Sequence, residues 1–240
     1  MSALSDAEIE RMEALMRAHY DHGADAFRDD LAEKDAVVLL RDASGVLRGF
    51  STLLAMDLPA PEAAEGPKPQ SDSLPTRAFF SGDTVVEAGH RGTASLPRTW
   101  SRYVFTRARQ RPDLRTVWFL ISSGYKTYRF LPTFFRRFAP CVDGSPAWMA
   151  PTLDALARAR YGTAYDPASG VVTLSHPTPV LEGVADLTPH RLRDPHVAYF
   201  ASRNPGHARG DELACLTLIH PSNLTPAGQR MVGPDLARPW

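Results

Sequence analysis

The seven residues TVWFLIS, positions 116 to 122, leave the chain few options. The run is short, bounded by Arg115 and by Ser123-Gly124, and apolar at positions of both parities, so as a strand it must be covered on both faces. What precedes it sharpens the constraint. Residues 77 to 86, RAFFSGDTVV, read as a strand, and Gly82 in its middle predicts a bulge or a close backbone approach. Between the two lies a helix with Pro97 in its first turn and one apolar stripe of Trp100, Tyr103, Val104 and Ala108, which Pro112 ends. Strand, helix and buried strand in this order predict a right-handed parallel crossover.

The N-terminal part supplies the rest of a sheet. Ser5-x-x-Glu8 is a capping-box pattern, followed at helical spacing by Ile9, Met12, Leu15, Met16 and Tyr20. Gly23 breaks that helix, a second short one covers 25 to 31, and AVVLL begins a hairpin that turns at Asp42-Ala43-Ser44-Gly45. Residues 57 to 76 hold five prolines and almost no large apolar side chain, which predicts a loop or lid. Beyond Pro140 the pattern weakens: LDALARARY reads as helix, GVVTLS and ELACLTLI as strands, 195 to 202 as a short helix, and Thr225 onwards as a polar tail. The division expected is a core of 1–140 and a C-terminal extension, 141–240, that completes or covers the sheet.

At 240 residues, 43% hydrophobic, the chain can bury a sizeable core. Lys plus Arg and Asp plus Glu both total 27, so nothing global points to nucleic acid, and no apolar run reaches the length of a membrane span or signal peptide. A cytoplasmic enzyme is the expectation. Cys141 and Cys215 form neither a disulfide framework nor a zinc pattern, and the pair His19 and His22 lacks a third ligand, so no metal is expected. Charge is concentrated locally: from Arg91 to Arg115 there are seven arginines against one acid, Asp113. The loop entering the basic helix, His90-Arg91-Gly92-Thr93-Ala94-Ser95-Leu96, is small and glycine-bearing, and a helix N-terminus is a natural anion site.

This stretch, with the order of elements around it, resembles the GCN5-related N-acetyltransferase (GNAT) superfamily, whose cofactor motif Gln/Arg-x-x-Gly-x-Gly/Ala ends the fourth strand. Ala94 replaces the motif's first glycine, and Leu96 stands where a second small residue is expected. The resemblance implies an α+β fold with a mostly antiparallel sheet, one splayed parallel strand pair and flanking helices. It also implies acyl transfer from acyl-CoA to a small-molecule amine. The donor's phosphates would meet Arg91, Gly92, Thr93, Ala94, Ser95, Leu96 and Arg98. Its pantetheine arm would run along Val85 and Val86 on one strand and Ser122, Ser123 and Tyr125 after the other. The altered motif leaves a second donor open, the single phosphate of an acyl carrier protein's phosphopantetheine, and a homodimer is compatible with either.

Acyl transfer to an amine needs a base and an acid for the leaving thiolate. The resemblance implies Glu87 as base, with Asp83 as the alternative, and Tyr128 as acid; no covalent acyl-enzyme is expected. Trp118, Tyr125, Phe130, Phe134 and Phe135 either line an acyl tunnel or fill the core. Two rival readings are a catalytically inactive GNAT-fold binding or assembly module and a serine hydrolase built on Ser122-Ser123-Gly124. The latter lacks the glycines of a nucleophile elbow.

Overall fold

The computed structural model describes residues 4–18, 24–60, 74–90, 92, 94–175, 177, 179 and 186–240. The capping box forms: the Ser5 hydroxyl accepts the Glu8 N–H at the start of helix α1 (Asp6–Arg17), and the Glu8 carboxylate accepts the Ser5 N–H at 2.7 Å. Met12, Leu15 and Met16 of α1 then pack with Phe27 of α2 (Ala24–Ala32) and with Phe50 and Val85 of the sheet. Strands β1 (Ala36–Arg41) and β2 (Leu47–Leu58) make the expected hairpin, whose turn is held by Asp42 accepting the Ser44 and Val46 N–H groups. Gly45 there takes φ +85°, a backbone conformation that favours glycine.

Strand β3 (Thr76–Val86) pairs with β2 along its length. Helix α3 (Ser95–Gln110) carries the chain over to β4 (Arg115–Ser122), which lies parallel to β3. The remaining elements are α4 (Tyr125–Tyr128), α5 (Phe130–Phe134), β5 (Phe138–Ala139), α6 (Met149–Tyr161), β6 (Tyr165–Asp166), β7 (Val171–Val172), α7 (Pro195–Arg203), β8 (Glu212–Leu218) and α8 (Pro226–Val232). The sheet runs β1-β2-β3-β4-β8-β7-β6, with β5 also pairing β8, and its one parallel contact is β3 with β4. The mixed sheet with flanking helices is the expected class.

The apolar run of β4 has the predicted cause. Val117 and Phe119 pack with Met149 and Leu156 of α6, whereas Trp118 and Leu120 pack with Trp100, Val104 and Phe105 of α3. Burying each such side chain contributes about 1.5–3 kcal/mol.

Three expectations are corrected. The proline-rich loop is narrower than 57 to 76, because Asp57 and Leu58 still pair with Arg77 and Thr76; a lid over 61–73 lies outside the described residues. Of GVVTLS only Val171–Val172 pairs as strand. The polar tail contains α8, N-capped by the Thr225 hydroxyl, which accepts the Gly228 N–H at 3.1 Å. Its buried residues are few, so periodicity could not disclose it. A Cβ at Gly228 would stand 2.3 Å from the Phe134 carbonyl oxygen, which is how α8 approaches α5 so closely. Replacing Gly228 by Ala is therefore expected to cost about 1–3 kcal/mol through overpacking, read as a lower melting temperature.

Candidate active site

The parallel ladder between β3 and β4 runs from Thr76↔Arg115 to Phe80↔Phe119 and stops there. β3 continues beside β2 to Val86, and β4 continues beside β8 to Ser122. The two strands thus part into a wedge whose facing backbone groups have no ladder partner on the other strand. The register explains the parting. Ser51 pairs with Thr84 and Leu53 with Ser81, so β3 spends one residue more than β2 over this interval, a bulge at Gly82-Asp83. Gly82 is required there, since a Cβ would lie 2.5 Å from the Thr52 hydroxyl. At the apex of the wedge the Trp118 indole donates to Ser81 Oγ at 2.9 Å.

The wedge opens on a cavity of about 410 Å³. One wall is an ionic clamp between α2 and α6: Lys34 Nζ meets Asp30 at 2.6 Å, while Arg160 meets Asp30 at 3.2 Å and Glu33 at 2.8 Å. The other wall carries Asp83 on the bulge and Glu212 at the head of β8. Burial first, and the negative charge of Asp83 second, push the Glu212 carboxyl up to about 8. A carboxyl that ionises near neutral pH beside a wedge between strands has the properties of a general base. Burial also raises the hydroxyl of Tyr161, which lines the same cavity.

Glu87 does not have those properties. Just past β3, its carboxylate receives Arg11 at 3.0 Å and Arg48 at 2.9 Å, and these bonds hold it below the usual range for a glutamate. It ties α1 to the β2–β3 edge and is not among the residues lining the cavity. Tyr128 does not line the cavity either. It is fully buried, its hydroxyl donates to the Pro140 carbonyl at 2.9 Å, and burial raises it above its ordinary value. Its ring packs on Phe138 and Phe200 in the core, because the turn of α4 sets it against α7.

The remaining predicted residues divide. Ser123 lines the cavity, but Ser122 is buried and its hydroxyl donates to the Gly124 carbonyl. Neither serine is hydrogen-bonded to a histidine among the described residues. Val85 is buried under α1 and α2, whereas Val86 packs on the core beneath α3, and Tyr125, Trp118 and Phe135 are core side chains. Arg91 and Thr93 lie outside the described residues. Gly92 takes φ +83°, Ala94 caps α3 without a side-chain hydrogen bond, and Ser95 and Arg98 are exposed. Leu96 turns inward to the core beside Trp100 and so leaves the loop open. Much of the arginine stripe is engaged elsewhere: Arg102 donates to the Val232 carbonyl at 2.8 Å, Arg111 pairs with Asp113, and Arg115 stacks over Trp148.

Asp30, Lys34, Arg160 and Glu212 were not legible as a site because they come from α2, the turn after it, α6 and β8. One signal existed: Glu212 is the sole acid at the head of an otherwise apolar strand. Among the described residues no group of His, Cys, Asp and Glu could hold a metal ion, and no helix is long and apolar enough to cross a membrane.

No family model and no curated protein matches the sequence. Among solved structures, the chain is similar to a GNAT family N-acetyltransferase from Escherichia coli in complex with CoA, at 12% identity and TM-score 0.38, over 55% of this chain and 66% of that one. It is similar to an aminoglycoside 6'-N-acetyltransferase complexed with coenzyme A at 11% identity and TM-score 0.38, over 90% and 92%. A conserved protein of unknown function from Enterococcus faecalis is matched at 11% identity and TM-score 0.39, over 56% of this chain and 31% of that one.

The position of Glu212 has a measurable consequence for stability. Its carboxyl ionises near 4.5 in the unfolded chain and near 8 in the fold. Between those values the folded protein keeps a proton that the unfolded chain releases, so this group's contribution to stability falls as pH rises. Glu212→Gln carries no such loss. Its melting temperature relative to the parent is expected to climb from pH 4 towards pH 8; an offset independent of pH would show that the carboxyl is not desolvated.

Proposed function

We propose that the chain is an acyltransferase of the GNAT type, moving an acyl group from a CoA thioester to an amine by direct transfer. The observation that carries this reading is the β3–β4 wedge opening onto a cavity that holds Asp83 and Glu212. The wedge offers unpaired strand backbone to an extended arm, and the uncapped start of α3, with exposed Ser95 and Arg98, offers N–H groups and charge to phosphate. The residues present thus fit a pantetheine-bearing donor. When bound, that donor supplies the activated acyl group.

The chain's own residues supply the rest. Asp83 attracts the ammonium form of the acceptor, and Glu212 takes the proton that the amine must lose before it attacks. The stretch of β3 beyond Phe80, which no longer faces a β4 partner, supplies the hydrogen-bond donors for the oxygen on which negative charge develops. The phenol of Tyr161, held neutral by burial, is a hydrogen-bond donor at the cavity, and the leaving thiolate recovers the proton that Glu212 has taken. No side chain among those lining the cavity is an activated nucleophile, which favours attack by the acceptor itself.

Thiol release from acyl-CoA, assayed with a panel of primary amines, tests the reading, and a carrier-protein thioester run in parallel separates the two donors. Glu212→Gln is expected to lower kcat by about 10² to 10⁴, the range for loss of a general base. In the parent enzyme kcat/KM should rise with pH through about 8, the value at which Glu212 ionises. Glu87→Gln should leave this limb in place. A protein that binds acyl-CoA but releases no thiol with any amine would be a binding module instead.

A further inference from the structure

We propose that the other end of β4 carries a second binding site, which takes a small planar aromatic anion. A cavity of about 350 Å³ lies where β4 begins and β8 ends. It is separate from the cavity at the wedge: Thr116 lines one and Ile121 with Ser123 the other, roughly 15–20 Å apart along a strand that rises about 3.3 Å per residue.

Its chemistry is opposite to that of the wedge cavity. Asp30, Asp83 and Glu212 line the first, whereas no aspartate or glutamate is among the described residues lining the second. Arg115 and Arg137 line it instead. The nearest acid in the sequence, Asp113, is engaged by Arg111 at 2.7 Å. In a chain of zero formal charge such an imbalance is a local feature. Arg137 is held by its backbone, with Asn223 accepting its N–H at 2.9 Å and donating to its carbonyl at 3.0 Å, and its exposed guanidinium pairs with no acid among the described residues. Such a guanidinium matches the two oxygens of a carboxylate or phosphate.

The walls select the body of the ligand. Trp148 and Trp240 line the cavity together with Leu218 and Ile219, and the Arg115 guanidinium lies 4.3 Å over the Trp148 ring. Flat surfaces of this kind favour a flat partner by stacking. The volume sits at the low end for small-molecule sites, about 300–1,000 Å³, which suits one or two fused rings. An aryl carboxylate and an aryl phosphate share the required chemistry.

Titration calorimetry and tryptophan fluorescence with 2-naphthoate, 2-naphthyl phosphate and the uncharged 2-naphthylmethanol test the site on the full chain. At least one anion is expected to bind saturably at one per chain, and the alcohol about tenfold more weakly or worse, as the loss of a charged hydrogen bond implies. The stronger of the two anions names the source. Arg137→Gln should weaken the anion by about tenfold, Arg137→Lys should recover part of the loss, and neither should change thiol release from acyl-CoA. Trp148→Leu, a second variant acting on the ring, should weaken anion and alcohol alike. Equal binding of the alcohol and the anions, an unchanged dissociation constant in Arg137→Gln, or no saturable binding would overturn the proposal.

Discussion

A single steric fact underlies the proposed chemistry: β3 must carry one more residue than β2 between Ser81 and Thr84, and only glycine fits at position 82. Thr52 is buried on β2, so any Cβ at 82 would collide with its hydroxyl. The bulge bends β3 away from β4 after five paired positions, Thr76 to Phe80. Without it the parallel ladder would continue towards Ser122, the wedge would close, and Asp83 would not share the cavity with Glu212. Gly82→Ala is thus expected to impair donor binding more than the modest packing loss of a surface glycine would suggest, as measured by the dissociation constant for CoA.

The cavity walls follow from the same geometry. Carboxylates beside one another in a partly closed site cannot all remain ionised cheaply, and the structure resolves this unevenly. Asp30 is paired with Lys34 and Arg160 together. Among the described residues Glu212 has no such ion-pair partner, and it holds its proton to about pH 8. Glu87, at the surface, has two arginines and ionises early. Three carboxylates of similar intrinsic acidity are thereby given different tasks by their neighbours. The one left uncompensated is the one fitted to exchange a proton at neutral pH.

Local signals in the sequence announced the elements whose cause is local. The capping box at Ser5, the turn at Asp42-Gly45, Pro97 in the first turn of α3 and the two-sided burial of β4 are each decided by a few adjacent residues. The bulge was legible too, because Gly82 interrupts a strand. What sequence could not disclose were contacts set by packing across the sheet. Tyr128 occupies the helix after β4, yet whether it faces the wedge or α7 depends on where α4 turns, and it faces Phe200. Glu87 ends a strand beside the wedge, but its two arginines come from α1 and β2. The arginine stripe of α3 read as a phosphate surface because α8, which takes Arg102, was hidden in a short segment with little apolar periodicity.

The C-terminal hundred residues are inseparable from this site. β8 is the neighbour of β4 in the middle of the sheet, and its first residue is Glu212. The segment before it is unusually constrained: Asn204 is fully buried and its amide donates to the Asp211 carbonyl at 2.8 Å and the Ser122 carbonyl at 3.4 Å. Gly206 lies so close to the Asp211 carboxylate that a side chain there would have to push that carboxylate aside, and Gly210 takes φ +93°. The turn from α7 into β8 is thus tied directly to the last residue of β4. One amide therefore sets the end of β4 and the start of β8 against each other, and with them the separation between the wedge and Glu212. Enlarging Asn204 to Gln preserves its amide while displacing it. It should change the position of the carboxyl relative to the wedge without changing its burial, so that kcat falls while the pH at which activity rises stays near 8. A shift of that limb together with kcat would instead mean that the turn controls how deeply Glu212 is buried.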